Sequence, residues 1–226
     1  MFESRYSKFL TVLLVIIIVA VIGLLGYLGY NYYNNYKTKN DSDKYVSTFI
    51  EEAGDENTTQ NTTTDENTNI EGIEGNGSSS NSSTSTKKKK TYKGFNVIGT
   101  IQIPKTNVNY PILEFPPSIK KLDTAIVALY PENKDVNTPG NIVLQGHNYR
   151  NGLFFSNNKK LSNGDKIYIT GLDNKKVTYV IYKMYETQQN DTSCYNRDTD
   201  GAMEITLSTC TDAANDMRLV IQAKAE

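Results

Sequence analysis

A chain of 226 residues with a formal net charge of -1, one histidine, two cysteines and no tryptophan has few reactive side chains to distribute. The balanced charge gives no electrostatic basis for nucleic-acid binding, which needs a strongly basic face. Most zinc sites and any disulfide-dense scaffold are excluded by the shortage of ligands, so His or Cys chemistry falls to His147, Cys194 or Cys210.

The chain opens with a short polar tail, residues 1–8, followed by an uncharged run from Phe9 to Tyr30. As a helix rising 1.5 Å per residue, this run spans a ~30 Å hydrocarbon core. Tyr27, Tyr30, Tyr32 and Tyr33 gather at its end, where amphipathic rings suit a membrane interface. A cleaved signal peptide is the competing reading, but its apolar region would be shorter and would end in small residues. The expected arrangement is a single-pass anchor at residues 9–30 that contacts membrane lipid. The short tail would be cytoplasmic and the bulk of the chain outside the cell. Lysines lie on both sides of the run, so the positive-inside rule favours neither orientation.

Residues 31–93 read as a polar, largely disordered linker. Glu51–Thr86 is rich in Asn, Thr, Ser, Gly, Asp and Glu, and buries too little apolar surface to offset its ordering entropy. Taken as a flexible coil from Glu51 to Lys93, it has an r.m.s. reach of about 35–40 Å. Lys87 to Lys90 form a basic run, either a solvated part of the tether or a contact for an anionic polymer or lipid head group.

From Gly94 the sequence becomes short apolar runs divided by turn residues. Strands are expected at Asn96–Ile103, Ala125–Leu129, Asn141–Gly146, Asp165–Thr170, Val177–Glu186, Glu204–Thr209 and Met217–Ala223, each rich in Ile, Val, Tyr or Thr. Asn163-Gly164 and Leu172-Asp173-Asn174 mark turns. Ser118–Leu122 and Thr211–Asn215 have the composition for a helical turn. The fold class is therefore all-β, a small barrel or sandwich over residues 94–226.

Cys210 ends one strand, His147 follows another, and Arg218 enters the last. If these strands are neighbours, the three groups converge. Such a trio serves acyl transfer: a thiolate attacks, an imidazole moves the proton, and a guanidinium stabilises the carbonyl oxygen. His precedes Cys by 210 − 147 = 63 positions, the reverse of the papain order, and the caspase signature is absent. Other readings of the same residues are a buried structural cysteine, a Cys194–Cys210 disulfide, or an Arg218 paired with Asp212 or Asp216.

Thr-Leu-Ser-Thr-Cys at 206–210, Arg218 eight positions on, and Gly-His-Asn at 146–148 together resemble the sortases, cysteine transpeptidases of Gram-positive cell surfaces. Ile-Gly-Thr-Ile-Gln-Ile-Pro-Lys at 98–105, followed by Tyr-Pro-Ile-Leu at 110–113, looks like the first strands of that fold. The resemblance runs from about Val97 to Ala223. It implies an eight-stranded β-barrel with short helices. It also implies cleavage of an LPxTG- or NPxTN-like sorting signal in another exported protein through a Cys210 thioester. The acyl group would then pass to an amine of a peptidoglycan precursor or a pilin lysine. His147 would be the acid and base, Arg218 the oxyanion and substrate-backbone partner, and Thr209 and Asn148 supporting residues. The signature is class B-like. The short Thr187–Met203 segment and the polar stretch before the barrel fit a class A- or D-like enzyme equally. No cofactor is required. Calcium modulation, known in class A members, has Glu132, Asp135, Asp198 and Asp200 as its candidates.

Overall fold

The computed structural model describes residues 2–55, 90–211 and 216–226. The expected disorder of the linker between 56 and 89 lies outside the described residues, as does most of the expected turn at Thr211–Asn215.

The first element, α1, is a continuous helix over Phe2–Asp55. The chain divides into two compact units between Ser42 and Asp43. The first unit carries the apolar run, and its large side chains from Phe9 to Tyr30 are exposed. Among the described residues α1 is the one helix long and apolar enough to cross a membrane, and its most apolar 18-residue stretch has a mean hydropathy of 3.2.

The helix does not stop at Tyr30, which corrects the expected linker boundary at residue 31. The reason is visible in the second unit, where the end of α1 has a surface to cover. Val46 and Phe49 are 0% and 2% exposed. Phe49 joins Tyr92, Val97, Leu113, Ala125 and Val127 in a small apolar cluster flanked by Tyr45, Phe95 and Leu122. Tyr45 meets Tyr92 edge-on with ring centroids 4.9 Å apart. The Lys90 ammonium lies 4.0 Å above the Phe49 ring and 3.1 Å from Glu52. Tyr45 and Phe49 stand at i and i+4, so one helical face carries the contact.

The rest of the second unit is β1 (Lys90–Tyr92), β2 (Phe95–Ile103), β3 (Val108–Leu113), the short helix α2 (Ile119–Leu122), β4 (Ile126–Tyr130), β5 (Gly140–Gln145), β6 (Lys166–Gly171), β7 (Lys176–Gln188), β8 (Met203–Cys210) and β9 (Met217–Ala225). The hydrogen-bonded order is β2-β3-β4-β5-β8-β9-β7-β6, and β6 returns to β2, closing an eight-stranded barrel. Strand β1 lies against β2 as a ninth, short addition. Pairs β3–β4 and β5–β8 are parallel and the others antiparallel. The closing seam is tight. A Cβ on Gly99 would fall 2.6 Å from the Thr170 carbonyl oxygen, so only glycine lets β2 and β6 meet there.

Alternation sorts the wall into two faces. Ile101, Ile112, Ile126, Leu144, Ile205, Leu207 and Ile221 belong to the interior cluster. Their neighbours Leu113 and Val127 point the other way, into the patch that α1 covers. Strand β3 escapes the composition-based list because Pro111 interrupts it. It is tolerated because β4 meets β3 only at Ile112 and Leu113, leaving Pro111 at a singly paired stretch.

Two outcomes follow from this packing. Phe49→Ala removes the ring that seats α1 and should cost about 3 kcal/mol of unfolding free energy in chemical denaturation; an unchanged midpoint would show that the helix end adds nothing. Burial lifts the Tyr110 and Tyr179 hydroxyls from 10.0 to about 12, and burial followed by the Glu52 charge does the same for Tyr45. The folded state thus holds these groups neutral, so their contribution is complete below pH ~10 and is lost as pH rises through 12. Melting temperatures measured across alkaline pH should fall in that window, together with the phenolate absorbance change.

Candidate active site

The positions of His147 and Cys210 follow from one strand pairing. Gly140 lies beside Met203 and Gln145 beside Ser208 in the parallel pair β5–β8, a constant offset of 63. His147 and Cys210 differ by the same 63 positions, two residues past the last pair. Their interval along the chain is therefore the register itself. Gly146 N–H still donates to the Ser208 carbonyl at 3.3 Å, carrying the alignment one step beyond the strand. A Cβ at Gly146 would meet Ile126 Cδ1 at 2.6 Å and Phe155 at 2.8 Å, so a larger residue at the turn into His147 would push both side chains from their places.

Beyond Gly146 the chain forms a loop held by several bonds. Phe155 N–H donates to the His147 carbonyl at 3.0 Å, and Phe154 N–H donates to the Tyr110 hydroxyl at 3.2 Å. Leu153, Phe154 and Phe155 are buried beneath it. The loop also grips the exit of β8. Asn148 Nδ2 donates to the Cys210 carbonyl at 2.9 Å, and the Arg150 guanidinium donates to the Thr211 carbonyl at 3.3 Å. Asn148 therefore holds the strand end at Cys210 through its backbone. Arg150 performs the same task, and no sequence motif signals it.

Arg218 lies directly across from Cys210 in the antiparallel pair β8–β9. One step on, Thr211 N–H donates to the Met217 carbonyl at 3.1 Å. Cys210 and Arg218 thus form the closely spaced kind of cross-strand pair, with both side chains on one face. The guanidinium donates to the Met217 carbonyl at 3.2 Å and to Gln189 Oε1 at 3.5 Å. Cys210 also borders a pocket of about 150 Å³ with Asn148, Phe155, Glu186 and Leu219.

Thr209, expected as a supporting residue, borders the same pocket as Cys210, although its side chain leaves the strand on the other side. It pairs with Leu219 and is 3% exposed, on the face opposite Cys210. Its Oγ1 is buried and has no hydrogen-bond partner among the described residues. The Cys194–Cys210 bridge is also absent, since both cysteines are free. Cys194 is 2% exposed, and burial together with the Asp191 charge pushes its thiol up, so it stays protonated at neutral pH. The calcium candidates do not gather. Glu132 and Asp135 lie after β4, Asp198 and Asp200 before β8, and among the described residues no three His, Cys, Asp or Glu side chains cluster as a metal would require.

A buried polar network anchors the segment between β7 and β8 beside this face. Arg197 pairs with Glu204 at 2.7 Å and donates to Asn141 Oδ1 at 3.2 Å and to the Tyr182 hydroxyl at 2.9 Å. Asn141 Nδ2 donates to the carbonyls of Cys194 and Tyr195 at 3.0 and 2.9 Å. No helix occurs in this segment.

The histidine has neighbours that sequence reading missed. Asp123, the residue that ends α2, places Oδ1 3.1 Å from His147 Nε2. The contact is close but off the line of the ring N–H, and Nε2 is buried without a formed hydrogen bond. Tyr149 donates to the same Asp123 oxygen at 2.5 Å and stacks on the imidazole with ring centroids 4.5 Å apart. Phe154 meets the imidazole edge-on at 6.5 Å.

This arrangement lies within a stretch that has known counterparts. The family model for the sortase domain matches residues 101–226, over half of the chain. A sortase A of Bacillus anthracis is 31% identical over 128 residues, which cover 56% of this chain and 58% of that relative. Among solved structures, a sortase D5 transpeptidase of Clostridium perfringens is 31% identical with a TM-score of 0.51, over 57% of this chain and 79% of the other. A lid mutant of sortase A from Corynebacterium diphtheriae is 28% identical with a TM-score of 0.52, over 57% and 70%. With its eight-stranded barrel and the motif residues at adjoining strand ends, the chain belongs to the sortase family.

Proposed function

We propose that the protein is a membrane-anchored sortase transpeptidase. The observation that carries this reading is the β5–β8 register, which aligns His147 with Cys210 while β9 sets Arg218 opposite the thiol. Cys210 Sγ attacks the carbonyl carbon of the scissile peptide bond in an LPxTG- or NPxTN-like sorting signal near the C-terminus of another exported protein. The Arg218 guanidinium steadies the oxyanion. His147 delivers a proton to the departing amine, the C–N bond breaks, and a thioester remains on Cys210. An amine from a peptidoglycan precursor or a pilin lysine then attacks the thioester. His147 accepts its proton, and the thiol is released with a new amide formed. Neither step consumes an oxidant, a metal or a nucleotide, so no cofactor is required.

The same reading assigns residues 1–8 to the cytoplasm, the apolar part of α1 to the membrane and the barrel to the outside. The exposed apolar run supports the anchor.

Peptides of LPxTG and NPxTN type, incubated with the protein and triglycine or hydroxylamine, should give amine adducts detected by mass spectrometry. Cys210→Ala should abolish them. Arg218→Ala should lower turnover by about 100-fold, the scale of an oxyanion partner. Hydrolysis undiverted by amine would make the protein a cysteine peptidase. Absence of any cleavage with an intact thiol would leave a binding domain and end the enzyme reading. Asn148→Ala frees the Cys210 carbonyl and should reduce turnover about tenfold with little change in KM, because it loosens the nucleophile rather than the substrate.

A further inference from the structure

Asp123 is unassigned in the reaction above, although its carboxylate lies 3.1 Å from the histidine ring. Its place is built into the fold. It caps the C-terminus of α2, with its backbone N–H bonded to the Ile119 and Lys121 carbonyls, and β4 begins a few residues later. The helix itself is fixed by Ser118, whose hydroxyl accepts from Lys121 N–H at 3.2 Å. The carboxylate is braced a second time by the Tyr149 hydroxyl at 2.5 Å. The imidazole is in turn confined between the Tyr149 face and the Phe154 edge.

Within this frame Nε2 is a buried polar atom with no formed hydrogen bond among the described residues, and Asp123 Oδ1 lies 3.1 Å away. A buried donor left unsatisfied is costly, and a small turn of the ring brings this N–H onto the oxygen. We propose that Asp123, braced by Tyr149, is the positioning residue of His147: it accepts from Nε2–H, fixes that tautomer and presents Nδ1 to Cys210. The carboxylate neither touches the substrate nor takes the proton. It holds the ring so that one nitrogen serves the thiol and the leaving amine while the other is occupied. Tyr149 contributes twice, through its hydroxyl to Asp123 and through its face on the imidazole. This role rests on His147 being the acid and base.

The test uses the full chain in detergent micelles and compares wild type with Asp123→Ala, Asp123→Asn and Tyr149→Phe. With a sorting-signal peptide, Asp123→Ala should lower kcat about 100-fold with KM within about twofold, since misplaced general acid catalysis is what is lost. The matching ester, whose alcohol leaves without full protonation, should lose under about tenfold. Asp123→Asn keeps an acceptor oxygen and should recover most of the amide rate, and Tyr149→Phe should fall between. Equal losses on amide and ester, or a change confined to KM, would overturn the assignment, because either indicates a general structural effect.

The histidine is the only one in the chain, so ring-15N labelling gives one pair of signals independent of any substrate. Those signals should report the Nε2–H tautomer in wild type and a mixture in Asp123→Ala. Identical ring signals in the two proteins would refute the role. If wild type cleaves no sorting peptide, the functional reading fails while the tautomer comparison still decides whether Asp123 positions the ring.

Discussion

The parallel pairing of β5 with β8 is the constraint on which the site depends. Parallel neighbours carry no turn between them, so their register is set by packing alone: Ile142 opposite Ile205 and Leu144 opposite Leu207, all turned into the barrel. Slipping β5 against β8 by one residue would turn Ile142 and Leu144 to the outer face and bring Thr209 or Thr211, not Cys210, level with the histidine. The interior core therefore defends the spacing of two groups that lie outside it. The loop after β5 extends this defence past the end of the ladder. Asn148 and Arg150 donate to the carbonyls of Cys210 and Thr211, so the histidine loop is tied to the strand end that carries Cys210.

Around that fixed pair the barrel divides its work by face. The inner side is apolar, while the outer side of β8 carries Glu204, Thr206, Ser208 and Cys210 in succession. The first two belong to the network with Arg197, Asn141 and Tyr182. The ion pair shares its terminal atoms with several neutral partners, while Arg197 Nε has none among the described residues. The segment before β8 is thus bound to the same strands that carry Asn141 and Cys210.

Much of this is legible in the sequence. Seven strands stand out because their apolar runs are bounded by turn residues, and the observed limits differ only at the ends. His147, Cys210 and Arg218 are conspicuous because so few residues compete with them. The inward turn of Thr209 is readable too, since Ile205 and Leu207 set the parity of β8. What escapes is whatever depends on a partner distant in the chain. Asp123 looks like an ordinary helix-ending aspartate until α2 carries it to the histidine. Tyr45, Val46 and Phe49 look like scattered apolar residues in a polar stretch until β2, β3 and β4 present an outer patch that needs covering. Pro111 hides β3 because proline argues against a strand unless one edge is known to be free of pairing.

The ion pair between Glu52 and Lys90 changes the meaning of the long polar stretch between them. By composition, that stretch is a tether whose length sets how far the barrel stands from the anchor. With the Glu52 and Lys90 side chains paired at 3.1 Å beside the Phe49 ring, the end of α1 and the first strand meet directly. Their separation is therefore fixed by that contact and not by the length of chain between them, and the turn of helix that carries Phe49 is what joins α1 to the barrel wall.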